Sequence, residues 1–135
     1  MPDTPQPKSA YAQKIKGKTG LRRIINAAGY SRDGLLAAYR SEAAFRQLVW
    51  LHSGLLVLLW WLDWALVPKM VLVSASFVSL VVELFNTGLE ALTDRVSTEQ
   101  HPLSKVAKDV GSAAQLLALM MTALLWGMAF YYHHG

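Results

Sequence analysis

The sequence contains no cysteine, and few of its residues carry a charge. Without cysteine, the chain cannot form a disulfide framework, a thiolate zinc site or a cysteine nucleophile. Charged residues make up only 16% of the 135 residues, whereas an ordinary soluble domain has roughly 25%. Hydrophobic residues make up 53%, which is more than a soluble domain of this size can bury. This composition indicates a small integral membrane protein.

The positive charge is concentrated at the beginning of the chain. Residues 1–46 contain nine Lys/Arg and three Asp/Glu, a net charge of +6, so residues 47–135 carry −2 of the total of +4. A nucleic-acid-binding protein would present its cations on one readable face, whereas these cations precede apolar segments. We therefore expect no nucleic-acid partner. Residues 1–20 have no apolar periodicity and are predicted to form a disordered basic tail.

Residues 21–46 are predicted to form a helix that lies on the membrane surface. Apolar residues recur at helical spacing from Leu21 and Ile24, are interrupted at residues 29–31, and resume from Leu35 with arginines between them. An amphipathic helix of this type places its apolar face in the membrane and its cations among the lipid headgroups.

Three apolar segments follow, and they are predicted to cross the membrane at residues 47–67, 70–90 and 108–132. The uncharged run of residues 110–132 has 23 residues, about 34 Å as a helix, which is enough to span a bilayer. Most Lys and Arg residues precede the first segment or lie between the second and third. The positive-inside rule then places the N-terminus and the second connection in the cytoplasm and the C-terminus outside. The sequence predicts an all-α membrane protein with one domain over residues 21–135.

One carboxylate lies within the second segment and is not explained by composition. A charge at the depth of Glu83 costs about 2.5–3.5 kcal/mol on insertion scales and therefore indicates function. Asn86, Glu90 and Asp94 follow on the same helical face, a stripe about 16 Å long. Carboxylates near water bind Mg²⁺ together with substrate phosphates, and a deeper carboxylate can serve as a general base. Alternatively, the stripe is a polar seam that holds helices together, but three acids favour chemistry.

A cation and a small residue lie at the start of the third segment. Lys108 can contact a phosphate, although a solvated helix start is an alternative interpretation, and Gly111 lets another backbone approach closely. Glu42 and Arg46 have the spacing of a weak helical ion pair, but Glu42 could also reach the same metal ion as Glu90. The sequence lacks a Gly-rich phosphate loop, so membrane helices would have to hold a nucleotide.

Five stretches together resemble the prokaryotic diacylglycerol kinases. They are residues 23–31 (RIINAAGYS), 42–47 (EAAFRQ), 61–63 (WLD), 82–90 (VELFNTGLE) and 107–114 (AKDVGSAA). The resemblance covers about residues 20–132. It implies a homotrimer of three-span subunits in the bacterial inner membrane, with sites shared between subunits. It also implies transfer of the ATP γ-phosphate to diacylglycerol, with Mg²⁺ as cofactor.

The resemblance further implies roles for individual residues. Glu83 is the general base on the lipid hydroxyl, Asn86 lies beside it, and Glu42 and Glu90 hold Mg²⁺. The positions implied to contact ATP are Arg23, Tyr30, Glu42, Glu90, Glu99, Gln100, His101, Lys108 and Asp109. The positions implied to contact the lipid are Arg23, Ala27, Gly29, Ser31, Phe45, Gln47, Leu48, Trp61, Glu83 and Ser112.

Two positions depart from the family pattern, and two other functions remain alternatives. Leu48 stands where Glu is usual, and Gln115 stands where an aliphatic residue is usual. His52 is interpreted as a polar residue at the membrane boundary. An undecaprenol kinase of the same superfamily is one alternative, because the acceptor assignment rests on residues 42–47. A non-enzymatic membrane subunit or a proton-relaying transporter is the other, although no pair of broken helices supports a transporter.

Overall fold

The computed structural model of the protein describes residues 20–96 and 99–135. Four helices follow one another: α1 Leu21–Ser41, α2 Ala43–Trp61, α3 Leu66–Val96 and α4 Pro102–His134. Within those two ranges no strand occurs. Helices α2, α3 and α4 are each long and apolar enough to cross a membrane. The predicted all-α class, with three membrane helices after an N-terminal helix, is confirmed. The predicted disordered tail lies outside the described residues, apart from Gly20.

Among the described residues, those from 20 to 36 belong to a first compact unit and those from 37 to 135 belong to a second. Helix α1 begins in the first unit, where Gly20 precedes it with a positive φ of 64°. The helix continues without a break through residues 29–31, where the apolar pattern of the sequence is interrupted. The Ser31 hydroxyl donates to the carbonyl oxygen four residues earlier at 2.9 Å, and this bond lets a polar residue remain within the helix.

Glu42 separates α1 from α2. Its backbone is extended, with φ −113° and ψ 115°, so the segment predicted as one surface helix, residues 21–46, contains a break. The Arg46 guanidinium donates through Nη1 to the carbonyl oxygens of Tyr39 at 2.8 Å and Arg40 at 3.0 Å. These carbonyls belong to the last turn of α1, where no helical partner is available. Arg46 thus caps α1 rather than forming the ion pair with Glu42 that was one of two interpretations of their spacing.

Helix α3 is the centre of the second unit, because it packs against both α2 and α4. Near the short turn between α2 and α3, Leu59, Leu72 and Trp126 bring one buried side chain from each helix to Trp64. The Trp64 ring also meets Phe130 edge to face, with a centroid distance of 4.9 Å. This cluster fixes the turn against the end of α4 and sets the register of the three helices.

Most of the apolar surface of α2, α3 and α4 faces outward. In the most hydrophobic 18-residue stretch of each helix, only 22% of α2, 28% of α3 and 22% of α4 is buried. Side chains such as Trp60, Phe85 and Leu117 are largely exposed. An outward apolar surface is suited to contact with lipid tails or with other membrane helices. Four polar residues of α3 are buried on the inward side: Ser76, Ser79, Glu83 and Asn86.

Candidate active site

Helix α3 carries a line of polar side chains that runs from the interior to the surface. Glu83 is 3% exposed and Asn86 is 8% exposed, while Glu90 is half-buried and Asp94 is exposed. Helical spacing places them on one face. Asn86 donates through Nδ2 to Glu90 Oε1 at 3.4 Å, which links the buried half of the line to the outer half.

A close approach between α3 and α4 holds Asn86 in place. Gly111 lies directly against Asn86, and a Cβ atom added at position 111 would overlap the Asn86 Oδ1 atom. Gly111 is itself buried. The expectation that small residues of the third segment permit a close approach is therefore met at this position.

We expect Gly111→Ala to destabilise the protein, because the new methyl group must displace the buried Asn86 amide. Overpacking of this kind costs about 1–3 kcal/mol. The measurement is thermal unfolding of the purified protein in detergent. Gly127→Ala is the matched control on the same helix, since nothing lies within 4 Å of a Cβ atom there. Equal unfolding temperatures for the two variants would contradict the tight contact at Gly111.

A cavity of about 730 Å³ lies where α3 ends and α4 begins. It is lined by Asp94, Glu99, Gln100, His101, Pro102, Ser104, Lys105, Lys108 and Asp109. Lys108 Nζ contacts Asp94 Oδ1 at 2.6 Å and so connects α4 with α3. Lys105 pairs with Asp109 one turn along α4, and the His101 ring accepts a backbone N–H to cap the start of that helix. We call this region the charged cleft, and its cations can meet the phosphates of a ligand.

A second cavity, of about 370 Å³, lies among α2, α3 and α4 beside Glu83. Its lining residues are Ala44, Gln47, Leu48, Leu51, Glu83, Gln115 and Leu119. The charges of Glu42 and Glu90 both act on Glu83, so three carboxylates lie at this part of the protein. We call it the Glu83 cavity. Largely apolar walls with one carboxylate and two amides suit an amphiphilic ligand whose polar group meets the acid.

The comparisons with known proteins agree on one family. The sequence profile of the prokaryotic diacylglycerol kinase family matches residues 29–130. A relative named diacylglycerol kinase from Pseudomonas aeruginosa is 51% identical over 112 residues, which cover 83% of this chain and 91% of the relative. The chain belongs to the prokaryotic diacylglycerol kinase family.

Further relatives support this membership over most of the chain. The protein named diacylglycerol kinase in Escherichia coli strain K12 is 43% identical over 122 residues, 87% of this chain and 96% of the relative. The one so named in Helicobacter pylori is 44% identical over 108 residues, 80% of this chain and 84% of the relative. The resemblance stated from five sequence stretches is therefore confirmed.

Of the positions implied by the diacylglycerol kinase resemblance, eight line the two cavities. The charged cleft contains Glu99, Gln100, His101, Lys108 and Asp109, and the Glu83 cavity contains Gln47, Leu48 and Glu83. The implied ATP positions in the charged cleft thus lie near Asp94, at the outer end of the acidic line on α3. The implied lipid positions in the Glu83 cavity lie at its inner end.

Other implied positions lie elsewhere. Trp61 is 80% exposed and lies about 21 Å along α2 from Gln47. Phe45 is buried, whereas Ser112 is exposed, and neither lines the Glu83 cavity. Five implied positions are exposed on the part of α1 that belongs to the first unit: Arg23, Ala27, Gly29, Tyr30 and Ser31.

A group of buried polar residues on all three membrane helices was not predicted from the sequence. His52, interpreted as a polar residue at the membrane boundary, is 0% exposed within the subunit. Ser76, Ser79 and Thr122 are buried as well. A signal for two of them was available, because Ser76 and Ser79 precede Glu83 by seven and four residues and extend its helical face inward.

Proposed function

We propose that the protein is an integral membrane lipid kinase that transfers the γ-phosphoryl group of ATP to diacylglycerol and forms phosphatidate. The observation that carries this proposal is the acidic line on α3, which joins two different cavities. Glu83 lies in an apolar cavity suited to a lipid, and Asp94 lies in a charged cleft suited to a nucleotide. The two acids are about 16 Å apart along the helix. The relatives described above, all named diacylglycerol kinase, support the same activity.

In the proposed reaction, Glu83 is the general base. The lipid hydroxyl gives its proton to the Glu83 carboxylate while its oxygen forms a bond to the γ-phosphorus. The bond from that phosphorus to the β,γ-bridging oxygen breaks, and ADP leaves. The apolar side chains of Leu48, Leu51 and Leu119 limit the access of water to the reacting atoms. Asn86, bonded to Glu90, orients the groups around the base.

Glu42 and Glu90 are proposed to hold Mg²⁺. The described ranges contain no group of three or more His, Asp or Glu residues that could hold a metal ion alone. Phosphoryl-transfer sites usually bind Mg²⁺ through one or two carboxylates together with substrate phosphates. The two glutamates therefore fit an ion that arrives with ATP, and not a resident metal. When bound, Mg²⁺ would neutralise charge that develops on the phosphates.

The charged cleft is proposed to bind the phosphates of ATP. Lys108 already holds a carboxylate oxygen of Asp94 at 2.6 Å, and a phosphate oxygen can replace that partner. We also propose that ATP is contacted by Glu99, Gln100, His101 and Asp109, and by Arg23 and Tyr30 on α1. The lipid positions Ala27, Gly29, Ser31, Phe45, Trp61 and Ser112 are proposed from the family resemblance.

The functional unit is proposed to be a homotrimer, with residues 21–135 as one kinase domain and sites shared between subunits. One subunit leaves most of its apolar helix surface unburied, and three helices offer little enclosure for both a lipid and a nucleotide. We propose that the N-terminus and the charged cleft of this bacterial membrane protein lie in the cytoplasm and that its C-terminus lies outside. Most Lys and Arg residues lie before the first membrane helix or between the second and third, and such residues accumulate on the cytoplasmic side.

The experiment that tests the function compares two lipid acceptors. Purified protein in mixed micelles receives radiolabelled Mg-ATP with either diacylglycerol or undecaprenol at the same mole fraction. We expect label in phosphatidate, at a rate roughly tenfold or more above that for undecaprenol. A faster rate with undecaprenol would replace the proposed acceptor, and labelling of neither lipid would contradict a lipid kinase.

A further inference from the structure

Gln115 is a polar residue in the wall of the Glu83 cavity. It is only 8% exposed and lies on α4 between apolar residues of a membrane helix. It shares the cavity with Glu83, so its side chain borders the space proposed for the lipid. An amide that is buried among apolar residues of a membrane helix needs hydrogen-bond partners.

A hydrogen bond to α3 holds one side of this amide. Gln115 Nε2 donates to Ser79 Oγ at 2.9 Å, and Ser79 is 0% exposed. Ser79 precedes Glu83 by four residues on α3, which is about 6 Å along the helix. Ser79 lies on the side of Glu83 that is opposite to the exposed Asp94. Gln115 is therefore fixed about one helical turn deeper than the proposed base.

The other side of the amide has unused hydrogen-bonding capacity. Gln115 Oε1 is buried and has no partner among the described residues, and the second N–H of the amide remains available. The Ser79 hydroxyl can donate as well as accept, so turning the amide would satisfy Oε1 and direct both N–H groups into the cavity. Unmet polar groups are costly in an apolar interior, and a ligand that accepts a hydrogen bond would remove this cost.

We propose that Gln115 is a specificity-determining residue that recognises an ester carbonyl of the acceptor lipid. This inference rests on the proposed function, in which the lipid hydroxyl meets Glu83. In a 1,2-diacylglycerol, one ester group is attached to the carbon next to the one that bears this hydroxyl and the other to the carbon beyond it, and both lie deeper in the membrane. Their carbonyl oxygens accept hydrogen bonds and donate none, which matches a free amide N–H one helical turn below Glu83. Gln115 thereby selects ester-linked over ether-linked acceptors.

The test compares a diacylglycerol with the dialkylglycerol ether of equal chain length, which has the same hydroxyl but no carbonyl group. For the wild type, we expect the apparent KM of the diester to be about tenfold lower than that of the diether, as one buried hydrogen bond allows. In Gln115→Leu this advantage disappears through a higher KM for the diester. The values of kcat, and the KM of the diether, should change less than about twofold, since the base is intact.

Two further variants keep the test decisive. Gln115→Met retains the length of the side chain and should give the same result if Gln115→Leu folds poorly. Thr122→Val is the matched control, because Thr122 is a buried polar residue of α4 that bonds its own helix and does not line the cavity. It should keep the wild-type preference. An equal KM change for both acceptors in the Gln115 variants would overturn the inference. Failure of the wild type to phosphorylate either lipid would instead reject the proposed function.

Discussion

Glu83→Gln is expected to lower kcat for lipid phosphorylation by about 10³-fold, within the range that a general base contributes. The amide has the shape of the carboxylate but cannot accept the hydroxyl proton. The variant should still bind Mg-ATP with an affinity close to that of the wild type, since the charged cleft is unaltered. The measurements are steady-state turnover with saturating diacylglycerol and equilibrium binding of a nucleotide analogue to the same preparation.

The matched control for this variant is Asp63→Asn, the same change of acid to amide. Asp63 is exposed in the turn between α2 and α3, at the end of the helices remote from Glu83. We expect normal turnover in this control. Turnover of Glu83→Gln close to that of the wild type would remove Glu83 from the mechanism. Loss of both turnover and nucleotide binding would instead indicate a disrupted fold.

Glu90→Gln is expected to raise the Mg²⁺ concentration needed for half-maximal activity by about 10–100-fold. Substitution of a residue that only hydrogen-bonds to a metal ligand already lowers metal affinity by about 10–100-fold. Because Glu83 remains, saturating Mg²⁺ and ATP should restore much of the turnover. A Mg²⁺ titration at constant ATP provides the measurement, and the KM of diacylglycerol should remain nearly constant.

Glu42→Gln should change the Mg²⁺ requirement in the same direction, because both carboxylates are assigned to one ion. Their combined substitution should raise it by less than the product of the two single effects, as expected for residues of one site. Asp63→Asn again provides the control. An unchanged Mg²⁺ requirement in Glu90→Gln would exclude this residue from the metal site and leave it only as the partner of Asn86.

The features that could be predicted from the sequence are those contained within a single helix. The line from Glu83 to Asp94 follows from helical spacing alone, so its existence and its gradual exposure need no knowledge of other helices. The three membrane helices follow from their apolar length. The interruption of the apolar pattern at residues 29–31 does not end α1, because glycine and serine weaken a helix by no more than about 1 kcal/mol each.

The features that could not be predicted depend on how two helices meet. The bond between Gln115 and Ser79 joins residues 36 positions apart, and the spacing within either helix contains no information about this register. The burial of His52 likewise depends on packing between helices. The break at Glu42 was missed because α1 and α2 are both helical, so that residues on its two sides show similar periodicity. Tertiary contacts, rather than local propensity, decide such positions.

The central claim is that Glu83 removes a proton while the phosphoryl group passes directly from ATP to the lipid. The most direct measurement is the stereochemistry of transfer, with a γ-phosphoryl group made chiral by oxygen isotopes. One in-line displacement, as proposed, predicts inversion of configuration at phosphorus in the phosphatidate formed. Retention would reveal two successive displacements through a phosphorylated residue. It would contradict direct transfer from ATP to the lipid, even if Glu83→Gln were inactive.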